Sequence, residues 1–489
     1  MSNTDKFGND IPAPVAPKVS MQTKLSYGYG SFGKDFSLCV VNTFLFFYLT
    51  DVAKVPATIA GVIFLIARVW DTINDFLFAL IVTKVNTRWG KYKPWLIAGN
   101  ILQCIFLTAC FCTHYFEGTT QTIYLAVVYI CWGMSYTICD APFWSLVPCI
   151  TLDKSEREGL LPYPRFAATI GNYLAAGLGV YAVALFGQGD DGFGYAVYGL
   201  IAGLLAISSA LVTCKWTEEN YRPADGESFK LSDAFFIISH NKQFLFFIVI
   251  ALCFVIGTGI SQSLNLYIYK YCLHDASLFS VMQLWAGIVT IPSIVFFTVL
   301  VRIFGRKTIY SAALVFPILY TGIISMAGWG MLPVYPSVVA SGIIFGFSNS
   351  IYWILVMIMV ADTVDFGDYR FGIRSEIIYY SLHTLVIKCS GAIASAFLGV
   401  YLTWINYVPD QEQAPETIDS MLGFYVGVTL ICLVSLLVYL TVYHLNGDTL
   451  DKIQREITRR KMDDIVNKAK EQAPSEIEKK MLDEAKQAQ

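Results

Sequence analysis

The sequence predicts an all-α membrane protein with twelve transmembrane helices arranged as two six-helix bundles. Hydrophobic residues make up 55% of the 489 residues and charged residues only 15%, whereas soluble chains carry ~25% charged residues. The mean hydropathy is +0.55. About 20 apolar residues suffice to cross a bilayer, and the longest polar loop divides twelve such runs six and six. The net charge of −3 predicts no nucleic-acid partner.

The apolar runs are bounded by charged residues, glycine or proline, and we take them in chain order. The first six helices are expected near 25–50, 58–83, 94–115, 120–148, 165–186 and 194–215. The second six are expected near 244–271, 280–303, 308–327, 332–361, 376–404 and 420–445. Several of these runs exceed the hydrocarbon thickness, so tilted or overhanging helices are expected.

Three polar segments flank and separate the apolar runs. Residues 1–22 contain three prolines and no apolar core of a signal peptide, which predicts a disordered cytoplasmic lead. Residues 216–243 form the central cytoplasmic loop. Residues 446–489 predict a charged, solvated cytoplasmic helical tail without a transport role. Its apolar positions recur at helical spacing: Leu450, Ile453 and Ile457.

Basic residues concentrate in the even-numbered loops. They include Lys84, Arg88, Lys91, Lys93, Lys154, Arg157, Arg302, Arg306, Lys307, Arg370 and Arg374. Because cytoplasmic loops carry an excess of Lys and Arg, we expect these loops and both termini to be cytoplasmic. The expected location is a bacterial inner membrane.

Two loops at equivalent positions in the halves resemble each other. RWGKYKPW at 88–95 and FGRKTIY at 304–310 are both basic and contain glycine. A similar loop at the same place in each half, with six spans on either side of the central loop, indicates two repeated bundles, at 23–215 and 244–445. This arrangement points to the major facilitator architecture.

Ionisable residues inside a span are costly and are therefore candidates for function. In span 2, Arg68, Asp71 and Asp75 share one helix face, with Asn74 beside them. Carboxylates at i and i+4 repel each other, so a cation such as Na⁺ is expected between Asp71 and Asp75. A bound proton would also relieve the repulsion. Alternatively, Arg68 or a base from another helix neutralises the pair, and Asp75 fits such a structural role better than Asp71.

Span 4 carries the residue types of a sugar site. Asp140 and Trp144 are one turn apart, and Tyr136 lies one turn earlier. A carboxylate accepts hydrogen bonds from sugar hydroxyls, while an aromatic ring covers the apolar face of the sugar. Thr137 could donate an oxygen to the cation. The alternative for Tyr136 and Trp144 is ordinary packing.

Three further charges lie in or near spans. Lys34 and Asp35 lie near the start of span 1. Adjacent side chains on a helix point to different sides, so these two need not pair. The alternative is a charge pair at the membrane interface. Lys388 has no acid in its own span. It either extends to an interface or, as its depth favours, meets a carboxylate of span 2 or span 4. His383 is expected to line the path rather than relay protons.

The sequence gives little support to an enzyme. It contains no hydrolase elbow, zinc motif or phosphate-binding loop, and its 12 cysteines form no CxxC pair. GYGSFG at 28–33 fails the dinucleotide-binding pattern. A sensor with a signalling tail would need a domain that 44 residues can hardly hold. No cofactor is expected apart from a coupling cation.

Motifs along nearly the whole chain after residue 20 carry a resemblance. They are KLSYGYGSFGKDF, ARVWDTINDF, TRWGKYKPW, FEGTTQ, YTICDAPFWSLVPCITLDKSERE, LPYPRF, MVADTVDFGDY and LNGDTLDKIQ. On these motifs the chain resembles the melibiose-carrier-like members of the glycoside–pentoside–hexuronide:cation symporter family. The long span 4 block makes the resemblance specific.

The resemblance implies a site residue by residue. It places the cation on Asp71, Asn74, Asp75 and Thr137. It places the sugar on Lys34, Asp35, Tyr136, Asp140, Trp144, Arg165, Trp353 and Thr384. It places Lys388 near both ligands. Asp35 is then a sugar ligand rather than an edge charge, and a structural role for Asp75 is weakened.

The resemblance also implies a function. It is symport of a galactoside such as melibiose with inward-moving Na⁺, Li⁺ or H⁺, by alternating access in the lipid bilayer. The alternative is a proton-only symporter or a uniporter for another glycoside, pentoside or hexuronide. Separately from the resemblance, we expect the protein to act as a monomer. The chain departs from the family at NTFLFFYLTD in span 1 and at His383, where a glutamine is expected.

Overall fold

The chain forms a helical bundle, seen in a computed structural model that describes residues 18–84, 87, 89–151, 153–219, 240–371, 376–443, 445, 449–450, 452–460 and 462. The first half contains α1 Met21–Val40, α2 Ala57–Lys84, α3 Lys93–Cys110, α4 Gly118–Ser145, α5 Val147–Ile150, α6 Lys154–Leu160, α7 Pro162–Gly187 and α8 Asp191–Trp216. The second half contains α9 Lys242–Tyr267, α10 Ser277–Val295, α11 Phe297–Phe304, α12 Arg306–Gly328, α13 Val334–Phe371, α14 Glu376–Trp404, α15 Pro415–Thr429 and α16 Ile431–Thr441.

The helices run back and forth between two ends of the bundle. We call the end where α1 begins and α16 finishes the terminal end, and the opposite one the far end. Among the described residues, eleven segments are long and apolar enough to cross a membrane. α1 is not one of them because it carries Lys34, Asp35 and several buried serines, yet it packs along α7 and α8. The all-α, twelve-helix prediction is confirmed.

α13 is longer than the sequence predicts. The expected span ended at residue 361, before the acidic stretch, but the helix continues to Phe371. Asp362 is buried within it because its carboxylate accepts a hydrogen bond from the Arg306 guanidinium on α12. A charge that has a partner in a neighbouring helix does not end a span.

Small residues let helices of the first half approach closely. A Cβ atom on Gly33 of α1 would lie 2.3 Å from the Ser209 hydroxyl oxygen and 2.8 Å from the Leu205 carbonyl oxygen of α8. Helices in membranes pack through such small residues because lipid supplies no hydrophobic drive for their association. The halves meet where α2 packs on α14 and α7 on α10.

The repeat appears in the backbone of α1 and α9, the first helix of each half. Beyond Val40 the helical path of α1 continues to the far end and finishes in a π-helical turn, Tyr48–Val52, which we count with α1; α9 continues into another, Ile268–Cys272. The residue after each turn donates its N–H to the carbonyl five residues earlier, at 2.9 Å and 3.0 Å. A left-handed residue follows in both: Lys54 at φ 55° and His274 at φ 56°.

The described ends of the polar segments contact the bundle. Residues 1–17 and 220–239 lie outside the described residues. The predicted lead ends earlier than residue 22 because the Ser20 hydroxyl accepts the Thr23 N–H at 3.1 Å and caps α1. Beyond α8, the Glu219 carboxylate accepts three backbone N–H groups of residues 91–93, at 2.6, 3.0 and 3.0 Å. An anion at the start of α3 is favoured by the helix dipole.

The tail is less solvated than the sequence predicts. Residues 463–489 lie outside the described residues, and the described part from 449 to 460 is largely helical. Ile453 and Ile457 are buried against the core of the second half. Their helical spacing therefore marks a face that packs on the protein, and the prediction of a solvated helix is wrong for this stripe.

Candidate functional site

The two carboxylates near the middle of α2 have different partners. Asp75 accepts a hydrogen bond from the Thr137 hydroxyl of α4 at 2.9 Å and another from the Lys388 ammonium of α14. Asp71 lies 3.7 Å from the guanidinium of Arg68, one turn earlier on the same helix. The base that reaches Asp75 thus comes from the other half of the protein.

The seam between α2 and α4 gathers four oxygen-bearing side chains. They are Asp71, Asn74, Asp75 and Thr137. Asn74 is buried, and its amide nitrogen has no hydrogen-bond partner within the described part of the chain. A Cβ atom on Gly133 of α4 would lie 2.4 Å from an Asp71 oxygen, so the Asp71 carboxylate approaches α4 where that helix has no side chain. Hard cations take oxygen ligands, and this seam supplies them.

Lys34 of α1 is buried and holds two carboxylates together. Its ammonium lies 2.7 Å from Asp140 and 3.1 Å from Asp35. It also donates to the Tyr136 hydroxyl at 3.3 Å. Lys34 and Asp35 need not pair as neighbours on a helix, but they do pair here because the long lysine side chain reaches its neighbour. Asp140 remains 32% exposed, so its carboxylate can still meet a ligand.

Aromatic rings complete this cluster on α4. The Trp144 indole N–H donates to Asp140 at 3.2 Å, and the Tyr136 hydroxyl donates to the same oxygen at 3.4 Å. The Arg165 guanidinium of α7 lies over the Trp144 ring, 4.6 Å from the ring centre. Six predicted sugar ligands of the first half are therefore neighbours: Lys34, Asp35, Tyr136, Asp140, Trp144 and Arg165.

The predicted ligands of the second half are held separately. The Trp353 indole of α13 is 37% exposed and donates to Asn349 at 3.2 Å. Thr384 of α14 is exposed, and its hydroxyl donates to the Tyr380 carbonyl within its own helix. Among the described hydrogen bonds, none joins Trp353 or Thr384 to the six residues of the first half.

His383 does not have the exposure expected of a lining residue. Its ring is buried, 5.5 Å from the Phe247 ring of α9. Neither ring nitrogen has a hydrogen-bond partner among the described residues. Helical spacing could not distinguish this inner face of α14 from the adjacent face that carries Thr384.

The sequence reading missed two residues that hold predicted sugar ligands or lie between the halves. The buried Ser31 hydroxyl donates to Asp35 at 2.7 Å, and the Asn349 amide donates to the Tyr173 hydroxyl of α7 at 3.3 Å. Ser31 precedes Asp35 by four positions, which is a signal available in the sequence. Asn349 precedes Trp353 by four positions and accepts its indole N–H, which is a signal of the same kind, but its bond to Tyr173 has none because Tyr173 lies in the other half.

The arrangement places an oxygen-rich seam beside a polar and aromatic cluster. α4 contributes to both, since Thr137 bonds Asp75 and Asp140 bonds Lys34. In the described residues, no group of three or more His, Cys, Asp or Glu side chains could hold a metal ion. The geometry fits a monovalent cation and a polar organic molecule bound side by side.

Comparisons with known proteins agree on one kind of protein. The model of a family described as MFS/sugar transport protein matches residues 26–447. The putative sulfoquinovose importer of Escherichia coli (strain K12) is 26% identical over 465 residues, 94% of this chain and 98% of that one. The glucuronide carrier protein homolog of the same strain is 27% identical, over 91% and 97% of the two chains. The lactose permease of Lactobacillus delbrueckii subsp. bulgaricus is 25% identical, over 87% and 70%.

Solved structures show the same fold. The nucleoside transporter NupG superposes with a TM-score of 0.61 at 14% identity, over 86% of this chain and 99% of that one. A bacterial homolog of the human lysosomal transporter Spinster, in an inward-facing and unoccupied conformation, superposes with a TM-score of 0.59 at 13% identity, over 86% and 95%.

Proposed function

The chain belongs to the family of MFS/sugar transport proteins, and on that premise we propose that it is a secondary active symporter. It is a multi-pass membrane protein and a transporter rather than an enzyme, as its relatives and structural neighbours are. The proposal couples inward movement of Na⁺, Li⁺ or H⁺ to the uptake of a galactoside such as melibiose. The two halves alternate in exposing the central site.

The ion pair between Lys388 and Asp75 carries the coupling argument. This pair joins the second half of the protein to the first at the Asp75 carboxylate, which also accepts a hydrogen bond from Thr137. A cation bound to Asp71, Asn74, Asp75 and Thr137 competes with the Lys388 ammonium for Asp75. The lysine therefore neutralises the empty site, and cation entry releases a link between the halves.

The sugar is proposed to bind the neighbouring cluster on α1, α4 and α7. Asp35, Asp140 and the Lys34 ammonium offer charged partners for hydroxyl groups, and Trp144 offers a ring face. Both ligands contact α4, three residues apart. Binding of one ligand then raises affinity for the other by the same factor in both directions.

The exposure of Asp75 supports access of ligands to the central site from the terminal end. Asp75 is 43% exposed, while the far end is closed by contacts between the halves. We propose that the terminal end faces the cytoplasm of a bacterium, so that this conformation is open inward. A fluorescent protein fused after residue 489 should then fluoresce in intact cells, and absence of fluorescence from inserted protein would contradict the orientation.

The decisive experiment is uptake into vesicles that contain the purified protein. Labelled α- and β-galactosides are supplied with Na⁺, Li⁺ or H⁺ as the sole gradient. We expect accumulation of a galactoside with at least one of these gradients, and none with a dissipated gradient. Equilibration without accumulation under every gradient would contradict symport and indicate a uniporter. A single mass corresponding to one chain in detergent would support the proposed monomer.

One observation favours a second substrate class, a glycoside that carries a carboxylate, such as a hexuronide. Among the described residues, the Arg165 guanidinium has the ring of Trp144 as its neighbour and no carboxylate within ion-pair distance. A uronide carboxylate would supply the missing charge. Glucuronides belong in the same uptake panel, and their transport in place of galactosides would establish this alternative.

A further inference from the structure

A buried carboxylate of the first half is held by four donors of the second half at the far end. Asp51, in the π turn of α1, accepts hydrogen bonds from the Lys270 ammonium and from the Tyr271 and Tyr407 hydroxyls, the last at 2.5 Å. The backbone N–H of Asp410 donates to it at 3.2 Å. We call these five residues the Asp51 contact.

The Asp51 contact joins equivalent parts of the two repeats. Asp51 and Lys270 lie in the π turns that end α1 and α9. Beside them the Thr50 and Tyr267 hydroxyls are 2.5 Å apart, and the Phe47 and Tyr267 rings meet edge to face at 4.9 Å. The charged contact is therefore sealed by polar and aromatic contacts between the same two helices.

A buried ion pair of this kind has two favourable states. When all donors are in place, the charges compensate each other; when the halves separate, water hydrates each charge. The intermediate arrangement, a buried carboxylate without its cation, is strongly unfavourable. Closure at the far end thus requires Asp51 and Lys270 together, which makes the contact a two-state element.

We propose that the Asp51 contact sets the population of the conformation closed at the far end, and that the transport cycle breaks it whenever the site opens on that side. The proposal rests on alternating access but not on which sugar or cation is carried. It assigns roles to Asp51 and Lys270 that differ from those of the ligand-binding residues, because neither lies in the central site.

Amide hydrogen exchange followed by mass spectrometry tests this on the purified full chain without sugar or gradient, because exchange reports local opening. In Asp51→Asn and in Lys270→Gln, exchange in residues 48–56 and 268–276 should rise about tenfold, equivalent to about 1.4 kcal/mol. In the double variant, which buries no lone charge, the rise should be smaller than the product of the two single effects.

Two further variants separate opening at the far end from general loss of structure. Asp410→Asn changes a carboxylate that is 63% exposed and 3.5 Å from Lys270, so its exchange should stay within about twofold of the parent. Tyr407→Phe keeps the ring and removes one donor, and should give a smaller rise confined to the same segments.

Several results would overturn the proposal. One is an exchange rate in both single variants equal to that of the parent protein. Another is a rise in the double variant equal to the product of the rises in the two single variants. A third is a rise in Tyr407→Phe that spreads equally over α2 and α4. Because no transport is measured, failure of this test is distinguishable from failure of the proposed symport.

Discussion

Replacing Asp140 with asparagine tests the sugar cluster most directly. Asp140→Asn keeps the shape of the side chain but removes the charge that faces Lys34 at 2.7 Å, Trp144 at 3.2 Å and Tyr136 at 3.4 Å. A hydrogen bond to a charged group contributes roughly 1.5–3 kcal/mol. At 1.4 kcal/mol per tenfold, loss of one such bond to a sugar hydroxyl should weaken binding by about 10- to 150-fold.

The same substitution also changes stability, and the two effects can be separated. Lys34 is 2% exposed and would keep only Asp35, at 3.1 Å, as its counter-charge. Because Asp140 is 32% exposed and Lys34 keeps one counter-charge, the loss should be smaller than the about 3–5 kcal/mol of a fully buried pair, and Asp140→Asn should unfold at a lower temperature. Adding both Lys34→Met and Asp35→Asn leaves none of the three charges unpaired and should restore the unfolding temperature, but it should not restore sugar binding.

Equilibrium binding of a fluorescent galactoside to purified protein is the assay, with thermal unfolding measured on the same samples. The matched control is Asp190→Asn, an exposed residue at the far end that caps α8 through Phe193, where the amide oxygen can still accept. It should bind like the parent. Parental affinity in Asp140→Asn would refute the assignment of this cluster to the sugar.

Four further outcomes are expected. Asp71→Cys should abolish cation-driven accumulation but leave some sugar exchange, and unchanged stimulation by Na⁺ would contradict the cation site. Asn74→Ala should weaken coupling to Na⁺ more than coupling to H⁺ in vesicle uptake, because a proton needs only a carboxylate; equal losses would make Asn74 structural. Trp144→Phe should lower sugar affinity modestly, because a ring face remains for the sugar. Trp144→Ala should lower it clearly more, because the sugar loses the ring face and Arg165 loses a cation–ring contact of about 0.5–2 kcal/mol. Glu219→Gln should lower the unfolding temperature through loss of charge-assisted bonds of about 1.5–3 kcal/mol each, whereas exposed Glu218→Gln should not.

Helix positions and the acidic face of α2 followed from the sequence alone. Lipid leaves few choices for a spanning segment, because its backbone polar groups must be satisfied within the helix. The 3.6-residue period then placed Asp71 and Asp75 on one face. The same period indicated Arg68 as a partner of Asp71, but the partners of Asp75 could not be read in this way, since Thr137 and Lys388 come from two other helices.

Local reasoning failed where long side chains or other helices intervened. Adjacent residues on a helix point apart, yet the Lys34 ammonium reaches Asp35 at 3.1 Å. The sequence predicted a loop at the acidic end of α13, but this end is helical and its Asp362 pairs with Arg306 of α12. The sequence predicted a solvated helix for the tail, but its apolar residues Ile453 and Ile457 are buried. The first error came from the reach of a long side chain, and the other two came from contacts between elements distant in the chain.

The sequence by itself determined that this is an all-α membrane protein of twelve helices, because apolar length and charge placement dictate how a chain crosses lipid. It also determined which polar residues lie inside the spans. Only the tertiary structure decided that Lys388 meets Asp75 rather than another carboxylate, and that Asp51 is enclosed by four donors of the other half. Ion pairs between distant helices depend on packing angles and rotation about each helix axis, which no local pattern encodes.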